Sequence, residues 1–179
     1  LIKTLISTED ERFYEHFGVD LKGVFAAVKD MAHGNARGAS TITQQLVKNL
    51  FKVRSQYSRG LIGNIPGFKL LIMKSKEWIT AVKIEIFYSK KEILTMYLNT
   101  VDFGSNAYGI KTACKTYFNT TPRNLTIEQA ATLVGLLKAT TTYNPRLNPK
   151  NSLKRRNIVL ENLLTHHLIS KAEFDSLKR

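Results

Sequence analysis

Only one of the 179 residues is a cysteine, so neither an internal disulfide nor a cysteine-held metal cluster can form. That residue, Cys114, sits in YGIKTACKTYF among apolar neighbours, which assigns it to the core. The lack of disulfides leaves the compartment open. No run of 18 apolar residues and no signal-peptide pattern occurs, so no stretch of this sequence reads as a membrane span. Acidic residues are scarce, 14 against 27 basic ones, for a formal charge of +13. Such an excess selects a polyanionic partner: nucleic acid, an anionic membrane surface, or a phosphate-bearing substrate. Extended β alternation is nearly absent, as are internal repeats and low-complexity tracts. The fold class is therefore mainly α, in a single domain over residues 1–179. The chain opens on Leu1 and closes inside a helical pattern, so the expectation is a longer parent protein that continues at both ends, with its anchor before residue 1.

The first notable stretch is residues 7–18, STEDERFYEHFG. Read as one helix, Glu9, Phe13 and His16 share a face, since positions four and three apart stack on successive turns. A carboxylate beside an aromatic and a histidine suits general acid or base work; a solvated acidic first turn is the plainer alternative. Asp20 then reads as an N-cap for a helix with Leu21, Val24, Phe25, Val28 and Met31 at helical spacing, stopping at Gly34. Capping boxes are expected at Ser89 with Glu92, Thr126 with Gln129, and Ser170 with Glu173.

Residues 38–49, GASTITQQLVKN, place a glycine turn before Ser40 and Thr41, a helix start rich in free amides and hydroxyls and a natural seat for an anion. Ser40, Gln44 and Lys48 are four apart and should line one face, a polar stripe suited to sugar hydroxyls and phosphate oxygens. Ile42, Leu46, Val47 and Leu50 should face the core. Between residues 51 and 76 an apolar cluster is broken by Gly60, Gly63, Pro66 and Gly67, which argues against one continuous helix. From Lys48 to Lys91 there are ten cations against only Glu77 and Glu85. Apolar residues framed by cations suit the interfacial layer of an anionic membrane; burial of the same residues in the core is the alternative. From Met73 onward Lys74, Glu77 and Ala81 share a helical face. Asn99 ends the next helix, Asp102-Phe103-Gly104 turns the chain, and helices are expected over residues 106–118, 125–139 and 151–168.

Taken together, these stretches resemble the peptidoglycan glycosyltransferases of glycosyltransferase family 51, the transglycosylase module of class A penicillin-binding proteins and of monofunctional transglycosylases. ED-x-x-F-x-x-H-x-G matches residues 9–18, and G-x-S-T-x-x-Q-Q followed by K-N matches 38–49. Basic residues ending in a glutamate match 74–77, K-x-x-I-L-x-x-Y-L-N matches 90–99, and R-R-x-x-V-L matches 155–160. The order is the family's. Met73 departs from it, standing where an arginine is expected.

The resemblance implies a lysozyme-like α lobe and a smaller membrane-facing jaw over roughly residues 51–76. It implies polymerisation of lipid II into β-1,4-linked glycan, with inversion at the anomeric carbon and release of undecaprenyl pyrophosphate. Glu9 and Glu77 would be catalytic. Ser40, Gln44, Gln45, Lys48, Lys74, Lys76 and Arg155 would bind substrate, with Asp10, Phe13, His16 and Asn99 as structural neighbours. No cofactor is demanded, although a divalent cation, Mg or Mn, could ride on the diphosphate beside Glu77. The implied partners are lipid II, the growing glycan, an anionic membrane surface and other cell-wall synthesis proteins, and not nucleic acid. The implied place is the outer face of the bacterial cytoplasmic membrane. Two other readings remain: a lytic transglycosylase or lysozyme, and a non-catalytic basic membrane-binding module.

Overall fold

A computed structural model describes residues 1–33, 38, 40–51 and 68–178. Among them lie nine α-helices and one 3₁₀ turn: α1 (Ile2–Glu9), α2 (Leu21–Ala32), α3 (Ile42–Phe51), α4 (Phe68–Phe87), α5 (Lys90–Thr100), α6 (Ile110–Phe118), the 3₁₀ turn (Pro122–Asn124), α7 (Ile127–Leu137), α8 (Pro149–Thr165) and α9 (Lys171–Leu177). The only β pairing among the described residues is two isolated bridges, Phe17 with Val19 and Asp102 with Tyr108. The mainly α class holds. No helix among the described residues is long and apolar enough to cross a membrane. The chain forms two compact units, one of Leu1–Glu11 with Leu98–Arg179, the other of Arg12–Tyr97.

In the first unit α1 packs on α7 and α8, and α8 packs on α7 and α9. On α7, Ala130, Ala131, Leu133, Val134 and Leu136 are buried at 2% exposure or less, whereas Ile127, in its first turn, is 38% exposed; Val159, Leu160 and Leu163 of α8 are buried as well. Burying an aliphatic side chain of this size is worth roughly 1.5–3 kcal/mol, so this helix pair dominates the unit's stability. Asn144, wholly buried, pins the connecting turn: its Nδ2 donates to Ser105 Oγ, the Tyr117 hydroxyl oxygen and the Thr140 carbonyl, while Oδ1 accepts from Arg146 N–H. Cys114 is buried, and burial pushes its thiol pKa up, as suits a core residue.

In the second unit α3 packs on α4. Asp20 caps α2 as expected, accepting from Gly23 N–H at 3.0 Å, and it also pairs with Arg12 at 2.6 Å. Gly18 adopts φ +81°, and a Cβ there would lie 2.7 Å from the Ala81 carbonyl carbon in α4. Only glycine fits both the left-handed backbone and that approach.

All three expected capping boxes form, at Ser89–Glu92, Thr126–Gln129 and Ser170–Glu173. The helix over residues 7–18 does not. The chain leaves α1 at Asp10, whose φ of −161° is extended, and residues 11–15 form turns. Glu9, Phe13 and His16 therefore share no helical face; Phe13 is instead drawn to zero exposure beneath the Lys90 ammonium, 4.5 Å from its ring centroid. Leu50, expected in the core, is 42% exposed in the last turn of α3. Helix α4 starts earlier than Met73, at Phe68. The expected stop at Gly34 and most of the jaw segment, residues 52–67, lie outside the described residues.

Gly18→Ala should destabilise the protein by about 2–4 kcal/mol, combining a left-handed non-glycine residue with overpacking against α4; urea unfolding measures it. Asp20 gives a pH test. Burial alone would raise its carboxyl, but the hydrogen bonds from Arg12 and Gly23 and the Arg12 charge outweigh that and hold it below its ordinary value of 3.8. A depressed carboxylate stabilises the fold above its unfolded pKa, and that contribution disappears as pH falls through the folded one. Asp20→Asn, which keeps a capping side chain, should lower the melting temperature at pH 7, and the gap to wild type should close below about pH 4.

Candidate active site

In the second unit, α3 begins at a hydroxyl-rich turn. Thr41 and Gln44 cap it reciprocally: Gln44 N–H donates to Thr41 Oγ1, and Thr41 N–H donates to Gln44 Oε1, each at 3.1 Å. The sequence carries the signal for this cap, Thr-x-x-Gln, and the cap turns Gln44 away from the stripe expected with Ser40 and Lys48. Gln44 does not line an open face. It is wholly buried, and its Nε2 has no hydrogen-bond partner among the described residues. Ser40 is half-buried and Lys48 is exposed. The Tyr97 hydroxyl donates to Gln45 Oε1 at 2.8 Å, fixing the side chain that follows Gln44.

Helix α4 brings its charges to that helix start. Lys74 Nζ donates to Ser40 Oγ and to Glu77 Oε1, both at 2.9 Å. Glu77 is only 3% exposed, so the pair is not an ordinary surface ion pair of little worth. Lys76, exposed, lies on the same helix. The result is a partly buried hydroxyl–ammonium–carboxylate chain with further lysines on the two helices that carry it. Such a chain can receive phosphate oxygens with charge-assisted hydrogen bonds.

A second buried charge holds α3 in place. Glu85 Oε1 accepts from Thr43 Oγ1 at 2.7 Å and from Lys90 Nζ at 2.8 Å; Lys90 also donates to the His16 carbonyl at 2.7 Å. The His16 ring stands edge-on to Phe13, centroids 6.1 Å apart. Thr43 carried no distinctive signal in the sequence, since its partner Glu85 lies 42 residues away, and Glu85 showed only the nearby Lys90, five residues on.

The remaining candidates belong to the first unit. Glu9 is half-buried in the last turn of α1, and Asp10 is buried directly after it. Asn99 is exposed in the last turn of α5, one residue before its end. Arg155, on α8, lies beside Tyr143 with its guanidinium carbon 5.9 Å from the ring centroid. Among the described residues no group of three or more His, Cys, Asp or Glu side chains is placed to hold a metal ion. Glu77, the candidate ligand, already has an ammonium on Oε1. Among the described residues the protein alone supplies no donor set for a resident divalent cation.

Comparison with known proteins shows the family of the chain. A family profile described as Transglycosylase matches residues 1–164. Penicillin-binding protein 1A of Haemophilus influenzae is 40% identical over 180 residues, covering 98% of this chain and 19% of that protein. The Escherichia coli penicillin-binding protein 1A is 39% identical, covering 99% and 20%. Penicillin-binding protein 1F of Bacillus subtilis is 40% identical over 173 residues, covering 96% and 22%. The chain thus spans about a fifth of the length of these relatives. A crystal structure of the Haemophilus influenzae protein aligns over 50% of this chain and 14% of its own at 41% identity, with a TM-score of 0.49. The chain belongs to the transglycosylase family, and residues 1–164 are its transglycosylase domain.

Proposed function

We propose that this domain is a peptidoglycan glycosyltransferase that polymerises lipid II, a disaccharide-pentapeptide on undecaprenyl pyrophosphate, into β-1,4-linked glycan. Family membership supports the reaction type. The observation that carries the substrate class is the Ser40–Lys74–Glu77 chain at the start of α3, which is built for phosphate oxygens and has lysines on both helices.

The chemistry divides into two tasks. A sugar C4 hydroxyl is a weak nucleophile until a base takes its proton during attack, and Glu9 is the base. The hydroxyl oxygen forms its bond to the anomeric carbon as the bond to the diphosphate oxygen breaks. An α-linked donor thereby gives a β product in one in-line displacement. The departing diphosphate gains charge in the transition state, and prearranged cations stabilise that change without reorganising. Lys74 and Lys76, with Lys48, are the cations proposed for that role in the second unit; Arg155, in the first, is proposed separately as a substrate-binding guanidinium. Glu77 orients Lys74 through the 2.9 Å contact, and Ser40 and Gln45 contact sugar or phosphate oxygens. Any Mg or Mn would ride on the diphosphate beside Glu77, and the lysines supply the charge the protein itself contributes.

The +13 charge suits the same setting, since anionic head groups and a polyanionic substrate both gather at a cationic surface. The proposed place is the outer face of the bacterial cytoplasmic membrane, in company with other cell-wall synthesis proteins.

Labelled lipid II incubated with the chain in detergent should yield polymeric glycan. Glu9→Gln, which keeps shape and removes the base, should lower the rate by about 10²–10⁴-fold without changing the far-UV spectrum or the melting temperature appreciably. Equal rates for both proteins would remove Glu9 from the base role.

A further inference from the structure

Two arginines adjoin on α8 and are treated differently. Arg156 is committed to structure, donating to Asn157 Oδ1 at 2.8 Å through Nη2 and to the Lys178 carbonyl. Arg155 has neither a hydrogen-bond nor an ion-pair partner among the described residues, and its Nε is buried with no acceptor. A guanidinium is permanently charged and presents five donors, so leaving one partly buried and unanswered costs stability unless an anion comes to it.

Its surroundings hold it in that state. Beneath the stem, α7 carries Gly135, where a Cβ would sit 3.1 Å from Arg155 Cγ and 3.5 Å from its carbonyl carbon. The approach to Cγ is tighter than ordinary van der Waals contact, so the stem lies in space that a methyl group would take. At the head, the Tyr143 ring stands 5.9 Å from the guanidinium carbon, near the outer limit of cation–π attraction. An aromatic face attracts the cation while accepting none of its N–H groups in the way a carboxylate would. A carboxylate in that place would neutralise the charge.

We infer that Gly135 and Tyr143 are positioning residues that seat Arg155 as an uncommitted guanidinium for a diphosphate group. This rests on the diphosphate reading of the substrate above. Gly135 acts by vacancy and Tyr143 by its ring, and neither needs to touch the ligand.

The test is a double-mutant cycle read by inorganic pyrophosphate binding to the intact chain, measured calorimetrically. Arg155→Ala should weaken binding by about tenfold, the loss of one charge-assisted contact. Gly135→Ala and Tyr143→Leu should each weaken it severalfold in the wild-type background and have no effect in the Arg155→Ala background. A general structural role would instead give losses that multiply in both backgrounds, and that result overturns the inference. So does pyrophosphate binding that ignores Arg155→Ala. If Gly135→Ala melts below the assay temperature, Tyr143→Leu, which keeps apolar volume, carries the cycle alone. Glycan synthesis with an Arg155-independent pyrophosphate site would overturn this inference and leave the glycosyltransferase reading standing. An Arg155-dependent site without glycan synthesis would do the reverse.

Discussion

Within Arg12–Tyr97, a buried carboxylate fixes the relation of three stretches distant in sequence. Glu85, in α4, is answered by a hydroxyl from α3 and an ammonium from α5, and that ammonium in turn holds the His16 carbonyl and covers the Phe13 ring. Burying such a pair gains little over well-packed apolar residues, but removing one partner costs about 3–5 kcal/mol because the other charge is stranded. The value of the node is therefore geometric. It admits one register of α3 against α4, and that register sets Ser40 within 2.9 Å of Lys74. The chain of Ser40, Lys74 and Glu77, proposed to meet the diphosphate, is in this sense downstream of the Thr43–Glu85–Lys90 contact.

The two glutamates of α4 illustrate how environment divides similar groups. Glu85 is closed off by a threonine hydroxyl and a lysine and serves the fold. Glu77, just as buried, shares its lysine with a serine hydroxyl at a helix start, and so remains connected to the place where an anion would bind. The arginines of α8 divide in the same manner. Arg156 is tied to Asn157 and a backbone carbonyl, whereas Arg155 rests on an aromatic face. In both pairs the partner, not the residue type, sets the two charges apart.

Much of this was legible in the sequence where the determining contacts are local. The capping boxes at Ser89, Thr126 and Ser170, the Asp20 cap, and the helices α6, α7 and α8 follow from patterns three or four residues long and emerged within a few residues of expectation. The Lys74–Glu77 pair, also local, was legible too. Failures came where a distant partner won. Residues 7–18 have helical periodicity, but Phe13 gains more by burial under Lys90 than by continuing α1, and the chain turns at Asp10 instead. Gln44 has the spacing of a solvent-facing stripe, yet its own cap with Thr41 turns it inward. Thr43 and the vacancy at Gly135 could not be assigned from the sequence at all, because each is defined by a side chain at least 20 residues away.

The claim on which this account turns is that the domain makes glycosidic bonds at the expense of a lipid diphosphate. Its most direct measurement is the stoichiometry and stereochemistry of the wild-type reaction with lipid II alone. The account predicts one undecaprenyl pyrophosphate released for each new glycosidic bond, every new linkage β-1,4, and no shortening of preformed glycan. Cleavage of preformed glycan without diphosphate release, or a product that retains the α configuration, would contradict it.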